Sequence, residues 1–556
     1  MLHLIKGDTG SDKTSLLLNE IKRTVERGER CYLIVPEQQT VVYEAMFAEG
    51  LPQCAPLFFE VMNFSRLANT VFRKYGGLSY NYSTSAQRAL VMWRALGELL
   101  PTLHDSRGEL EMGRVRKMLS AISELKACSV SADELTRASE QTDDISLKNK
   151  LQDLSAVYTL YSKLLNEKYA DAGDDLTKTC EILRKHKFFE GATVFIDSFT
   201  SFTEQQYRII AEMTKQCDVT VTLPIPHDSE RRLCFEEIKG CEKRLHIIAA
   251  KGIEVTYAEE DDKGGECGLL SHVAKNLFLS SRGEQSSFTG EERGRLAIVE
   301  APTPFAEADY VAADIAKKVY GGARYKDFSI IARDATRYAG VIDSALRKYD
   351  IPFFMSVKTD VSAYAPIKLI YSAYSICSSS FNRGDVITYM KCGLCGISDC
   401  ECDEFELYTE QWNINGRSFT VSDDWNMSRN GYSDTECEGD AEFLARINKT
   451  KNAVIAPLVA LCDSIGGKVT VTEHCHALYR FLTQIGLQQT LQEHGKLLCE
   501  RGEREEGELT LRLYQLICDS LDTLIQTLPD TCVSAESFLQ LLKIVNYLVI
   551  FLLKFT

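Results

Sequence analysis

From its second residue the chain alternates short apolar runs with longer stretches in which apolar residues recur every three or four positions. Residues 2–5, 31–35 and 57–62 read as buried strands, while 13–27, a stretch from Thr40, and 64–75 carry helical spacing. Apolar strands separated by amphipathic helices are the pattern of βα units, and so of a parallel sheet covered on both faces. From 85 to about 187 the pattern changes: 87–100, 114–127, 145–168 and 176–185 all repeat with the helical period, and no strand competes with them. This predicts an all-helical block inserted into the α/β domain. The sheet is expected to resume at 193–196, which runs into Asp197, and to continue at 219–223 after a helix at 204–215.

Residues 228–295 read as a transition, with a charged, Gly-rich loop at 259–266. A second α/β region follows, with strands expected at 296–301, 328–332 and 351–355 and helices at 304–319 and 339–348. From about 367 the pattern is helical again, broken by a polar loop at 422–436. The expected domains are a first α/β domain of 1–84 and 188–290, a helical insert of 85–187, a second α/β domain of 295–366, and a helical insert of 367–556.

Composition narrows the class. With 556 residues, 45% of them hydrophobic, the chain can bury several cores, and ordinary domain sizes imply about three or four domains. The net charge of −16 speaks against a surface broadly attractive to nucleic acid, but not against a local basic groove. Nineteen cysteines are scattered through a sequence that opens directly on a strand without a signal peptide, which points to a reducing cytoplasm. No apolar run reaches the roughly 18 to 20 residues that span a bilayer. The stretch 544–555 is short and interrupted by Asn546 and Lys554.

The first strand leads into Gly7-Asp8-Thr9-Gly10-Ser11-Asp12-Lys13-Thr14 and then into a helix, the context a phosphate-binding loop requires. In the intact motif, loop N–H groups cradle phosphates, the Lys reaches the outer phosphates, and the Ser/Thr hydroxyl holds Mg²⁺. Here Asp12 stands where that motif has Gly, placing a carboxylate beside the anion position. Asp197 ends an apolar strand, where an acid faces the ligand crevice of an open sheet and contacts the metal. The second acid that would polarise an attacking water is replaced by Ser198. ATP and Mg²⁺ are therefore the expected ligands, with hydrolysis poorly supported. Arg333 follows the expected strand at 328–332, where a guanidinium could meet a phosphate. Cys392, Cys395, Cys400 and Cys402 lie within eleven residues, but the two pairs are too close for most two-knuckle sites and are read as free thiols rather than metal ligands. His474 and His476 flank Cys475 on a helix, where side chains two apart diverge. No serine-hydrolase elbow, zinc-protease pair or clear nuclease triad is found.

Several segments taken in order carry a resemblance: GDTGSDKT (7–14), LIVPEQQT (33–40), VMNFSRLANTVF (61–72) and VFIDSFTSFTEQQ (194–206). They are followed by Glu300-Ala301 ahead of Glu307, YKDFSIIARD (325–334), DIPFFMS (350–356) with Ala365-Pro366, and DEFELYTEQWNINGRSF (403–419). From residue 1 to roughly 542 this resembles the AddB (RexB) family, the B subunits of the AddAB helicase–nuclease. The resemblance implies a superfamily 1 helicase fold, with two RecA-like domains that each carry an inserted helical domain. It implies a heterodimer with an AddA-type subunit that acts on double-stranded DNA ends and single-stranded DNA in recombinational repair, with degenerate helicase motifs used for binding and scanning. The family's C-terminal nuclease domain, with an iron–sulfur cluster on four cysteines, falls outside these residues. The chain is accordingly expected to be truncated or frame-shifted, with a tail at 545–556 unlike the family. Carried onto this sequence, Gly7, Gly10, Lys13 and Thr14 would contact phosphates, with Asp8, Thr9, Ser11 and Asp12 in the same loop. Gln38, Asp197 and Arg333 would lie near that cleft, and Phe64, Ser65 and Arg66 on the single-strand path. Rival expectations are a self-standing phosphate-loop ATPase or kinase, and a scaffold that binds no nucleotide.

Overall fold

The computed structural model describes residues 1–8, 11–50, 55–79, 81–104, 110, 112–226, 233–249, 252–258, 268–277, 287–288, 295–355, 361–431 and 439–548. The expected loop at 259–266 and most of the expected tail lie outside the described residues. The chain divides into two compact units, Met1–Tyr82 with Ser120–Val299 and Ser83–Leu119 with Glu300–Thr556.

The first unit is built on a six-stranded sheet. Its strands are β1 (Leu2–Lys6), β2 (Arg30–Ile34), β3 (Phe59–Met62), β4 (Ala192–Ile196), β5 (Asp218–Leu223) and β6 (Ile253–Tyr257), in the order β3-β2-β4-β5-β1-β6. All pairings are parallel, with Leu4 opposite both Val221 and Val255, and Leu33 opposite Phe195. Parallel neighbours need crossovers, and these are supplied by α1 (Lys13–Glu26), α2 (Thr40–Gly50), α3 (Phe64–Tyr75) and later helices. Between α3 and β4 come α4 (Ser85–Leu99), α5 (Met112–Ala127), α6 (Ala132–Glu140), α7 (Ile145–Asn166) and α8 (Asp175–Lys185). After β4 come α9 (Glu204–Gln216), α10 (Glu236–Ile248) and α11 (Gly268–Asn276).

Strand alternation sends successive side chains to opposite faces, and here both faces are dry. Ile5, Cys31, Leu33 and Phe195 pack with Leu17, Ile21, Tyr43 and Phe47 of α1 and α2. Leu4, Ile34, Ile196 and Val221 pack with Phe64, Leu67, Leu183, Ile210 and Leu245 of α3, α8, α9 and α10. The sheet therefore reads as apolar runs rather than as alternation. Asn63 starts α3 by accepting a hydrogen bond from the Arg66 N–H at 2.7 Å. β6 and α10 emerge from the stretch read in sequence as transition. β6 is an edge strand, with Val255 and Tyr257 exposed.

The stretch 85–187 contributes to both units. α4 packs with the C-terminal helices, while α6 to α8 lie with the sheet. At the end of α5, Lys126 is buried in ion pairs with Asp171 at 2.7 Å and Asp174 at 2.8 Å.

The second unit contains α12 (Pro304–Tyr320), α13 (Ile342–Lys348), α14 (Ala365–Ser378), α15 (Arg383–Met390), α16 (Asp399–Gln411), α17 (Asp440–Ser464), α18 (Val471–Gln484), α19 (Leu487–Glu500), α20 (Arg504–Thr527) and α21 (Ala535–Leu548). A short antiparallel pair, β7 (Val469–Thr470) and β8 (Cys532–Val533), ties the start of α18 to the approach to α21. Cys377 of α14 and Cys462 of α17 form a disulfide with Cα atoms 5.2 Å apart.

The strands expected at 296–301, 328–332 and 351–355 are not formed. A strand exists only where a neighbour takes up its backbone N–H and C=O groups, and no strand pairing is formed by these segments among the described residues. Their apolar side chains show it, with Ile298 95%, Ile331 93% and Phe354 69% exposed. α12 and α13 nevertheless pack on Ile351, with Phe328 and Phe353 against them. Together they line a cavity of about 1520 Å³. Among the described residues no helix is long and apolar enough to cross a membrane.

Candidate functional site

The loop between β1 and α1 closes on itself. Gly7 is buried where a Cβ would collide with Ser11 Oγ and lie 3.2 Å from the Ala258 side chain, so a larger residue would have to displace the Ser11 side chain. The Ser11 N–H donates to the Asp8 carbonyl at 3.1 Å. Asp12 is the N-cap of α1, yet its side chain accepts no hydrogen bond from the helix. Lys13 folds back over the loop. Its ammonium has three donors, and they meet three acceptors: the carbonyls of Gly7 at 3.2 Å and Asp8 at 2.5 Å, and Ser11 Oγ at 3.0 Å. Burial lowers the Lys13 pKa, and the negative charges of Asp197 and Asp8 oppose that shift. Thr9 and Gly10 lie outside the described residues.

Asp197 follows β4, separated from β1 by β5, and is 5% exposed. Its carboxylate is satisfied by protein. The Tyr43 hydroxyl donates to Oδ2 at 2.8 Å, the Ser198 N–H to Oδ1 at 2.7 Å, and the Thr222 hydroxyl to Oδ1 as well. Ser198 holds a left-handed φ of 65°, a region uncommon for residues other than Gly; its hydroxyl lies 2.8 Å from the Tyr43 hydroxyl. Tyr43 also interacts with the Thr14 hydroxyl. Burial first, and the charge of Asp197 second, push the Tyr43 phenol up to about 12, so it stays protonated and donates.

Loops of this kind hold Mg²⁺ between the loop Ser/Thr hydroxyl and the strand-end Asp. In this chain both groups face the Tyr43 hydroxyl, and both carboxylate oxygens carry hydrogen bonds. The residues as arranged do not fit the cation.

The other expected site residues are dispersed. Gln38 is exposed in a single turn after β2. Arg333 belongs to the second unit, where it is exposed and lines the cavity beside α12 and α13. Phe64 corrects the expectation of a base-stacking surface residue. It is 4% exposed, and its ring packs edge-on against Phe199 and Phe202 at 5.7 and 6.5 Å. Apolar area at the first position of α3 is worth more against the sheet than in water. Ser65 is exposed, and Arg66 pairs with Glu44 at 2.7 Å on the surface. Cys392, Cys395, Cys400 and Cys402 are free thiols, and among the described residues no three metal-ligating side chains converge. Sequence reasoning missed Tyr43 and Thr222. Each occupies an ordinary helix or strand position, and no spacing marks it.

A six-stranded parallel sheet with a glycine-containing loop between its first strand and helix, and an acid at the end of a nearby strand, defines an α/β domain. Residues 4–268 match the AddB N-terminal family. Similar proteins, each named as the B subunit of an ATP-dependent helicase/deoxyribonuclease, occur in Caldanaerobacter subterraneus subsp. tengcongensis, 28% identical over 98% of this chain, and in Clostridium botulinum and Clostridioides difficile, each 26% identical over 98%. The chain spans about half the length of these relatives, 48% of each.

Proposed function

We propose that this chain is the helicase-like part of an AddB-type subunit that acts with an AddA-type partner in the cytoplasm on double-stranded DNA ends, in recombinational repair. Its role is to bind and scan DNA rather than to drive translocation. The observation that carries this reading is the closed loop. Lys13 is held by its own loop oxygens and Asp197 by Tyr43, Thr222 and Ser198, in a chain of AddB type. In working motors of this type the corresponding residues contact nucleotide and metal. Ser65 and Arg66 are the exposed candidates for the strand path, since single strands bind through positive charge and stacking.

The finer fold reading is a second RecA-like domain, of which α12, α13 and the extended segments at 296–300, 328–332 and 351–355 form one part. It is supported by apolar side chains that lie bare on segments of strand-like composition.

The test is co-purification of the chain with an AddA-type subunit, followed by binding of blunt-ended and hairpin-capped duplexes. Complex formation with preference for the open end is expected, without ATP turnover by the chain alone. No complex and no end preference refutes the reading. Steady hydrolysis by the isolated chain favours instead a self-standing ATPase.

A further inference from the structure

We infer that Tyr43 is a built-in substitute for the divalent cation at Thr14 and Asp197, so that nucleotide is not accepted there in its magnesium-bound form. The inference rests on reading the loop at 7–14 as a relic of a motor and adds the residue that keeps it so.

Three observations carry it. The Tyr43 hydroxyl is 2.8 Å from Asp197 Oδ2 and interacts with the Thr14 hydroxyl, the two groups between which the cation is held in working loops of this type. Asp197 carries three hydrogen bonds from protein, since the Thr222 hydroxyl and the Ser198 N–H both donate to Oδ1 beside the Tyr43 bond to Oδ2. Tyr43 is itself 8% exposed and its ring stacks on Phe47 at 5.9 Å. Yielding the place therefore means moving a packed ring out of the layer under β2 and β4.

The chemistry differs in kind between the two occupants. Mg²⁺ needs oxygen lone pairs in near-octahedral array at about 2.0 to 2.1 Å. A protonated phenol instead gives the carboxylate a hydrogen and leaves no room for a metal at that distance. The carboxylate is kept satisfied and buried without any ion, and the closed state stands by itself. Lys13, held on the carbonyls of Gly7 and Asp8, completes the closure from the loop side.

The test is a fluorescence titration of the full 556-residue chain with mant-ATP, in excess Mg²⁺ and in EDTA. It compares the wild type, Tyr43→Phe and Tyr43→Leu. Phe keeps the ring and its stack on Phe47 while removing the hydroxyl; Leu removes both and serves if Phe repacks. In the wild type the two affinities are expected to agree within about twofold, or binding to be absent in both. In Tyr43→Phe, Mg²⁺ is expected to tighten binding at least tenfold. Tenfold tightening by Mg²⁺ in the wild type overturns the inference without recourse to any variant. Folded variants that respond to Mg²⁺ as the wild type does, or that bind no mant-ATP in either condition, overturn it as well. The co-purification and DNA-end assay involves no nucleotide, so failure of the functional reading registers there separately.

Discussion

Lys13 offers a direct measure of how the loop is held. It joins the Gly7 and Asp8 carbonyls and Ser11 Oγ, so Lys13→Met should loosen the loop with no nucleotide present. A charged donor to a protein acceptor contributes about 1.5 to 3 kcal/mol when buried. Lys13 is only partly buried, and the freed acceptors can turn to water, so the combined loss is set at about 1 to 2 kcal/mol. The chain has two units, which makes a single global unfolding energy ill-defined. Hydrogen exchange reads the opening locally instead. Amides of Ser11 and of the first turn of α1 should exchange about 5 to 30 times faster in Lys13→Met, while the β4 and β5 amides stay as in the wild type. Unchanged exchange at Ser11 would refute the account of Lys13 as the clasp of its own loop.

Three further outcomes are expected. Phe64→Ala should cost the first unit about 3 to 5 kcal/mol by emptying a packed ring position, whereas Arg66→Ala, which loses an exposed ion pair, should cost about 1 kcal/mol or less. Chemical denaturation separates the two, and single-strand binding by fluorescence anisotropy should weaken only in Arg66→Ala. His474 is buried against Phe538 with Nε2 3.2 Å from the Val533 carbonyl and no partner for Nδ1 among the described residues, and burial lowers its pKa below 6.5. Below about pH 6.5 the unfolded chain then binds more protons than the folded one, so stability falls with acidity and levels off above that pH. The second unit's melting temperature should drop between about pH 7 and pH 5, and His474→Gln should flatten that drop; equal slopes would contradict the assignment. Ile298→Lys with Ile331→Lys should reduce self-association of the isolated chain, seen as a shift to monomer in light scattering, because both side chains are bare on segments that can pair with other strands. A wild type already monomeric at high concentration would count against it.

Much of the first unit is legible in the chain. The apolar runs of β1, β2 and β4 and the helical spacing of 64–75 mark their own elements, because both faces of a covered parallel sheet are dry and helix caps such as Asn63 are local. The glycine loop is legible for the same reason, since Gly7 to Thr14 are neighbours in sequence as well as in space. β6 is hidden because an edge strand with exposed side chains carries little apolar signal. The strands expected at 296–301, 328–332 and 351–355 do not form for the converse reason: their composition suits a sheet, but a strand also needs a partner, which sequence pattern does not supply. Phe64 reads as a surface aromatic beside Ser65 and Arg66, and only the rings of Phe199 and Phe202 assign it to the core.

Residue order alone specifies an α/β domain whose loop from Gly7 to Thr14 departs from the phosphate-loop pattern at Asp12, with Ser198 after the strand-end Asp197. What the site does with its remaining groups depends on packing. Tyr43 and Asp197 are 154 residues apart, and they meet because the order β3-β2-β4-β5-β1-β6 sets the end of β4 beneath α2. That order is a property of the packed sheet, and no local pattern of residues encodes it.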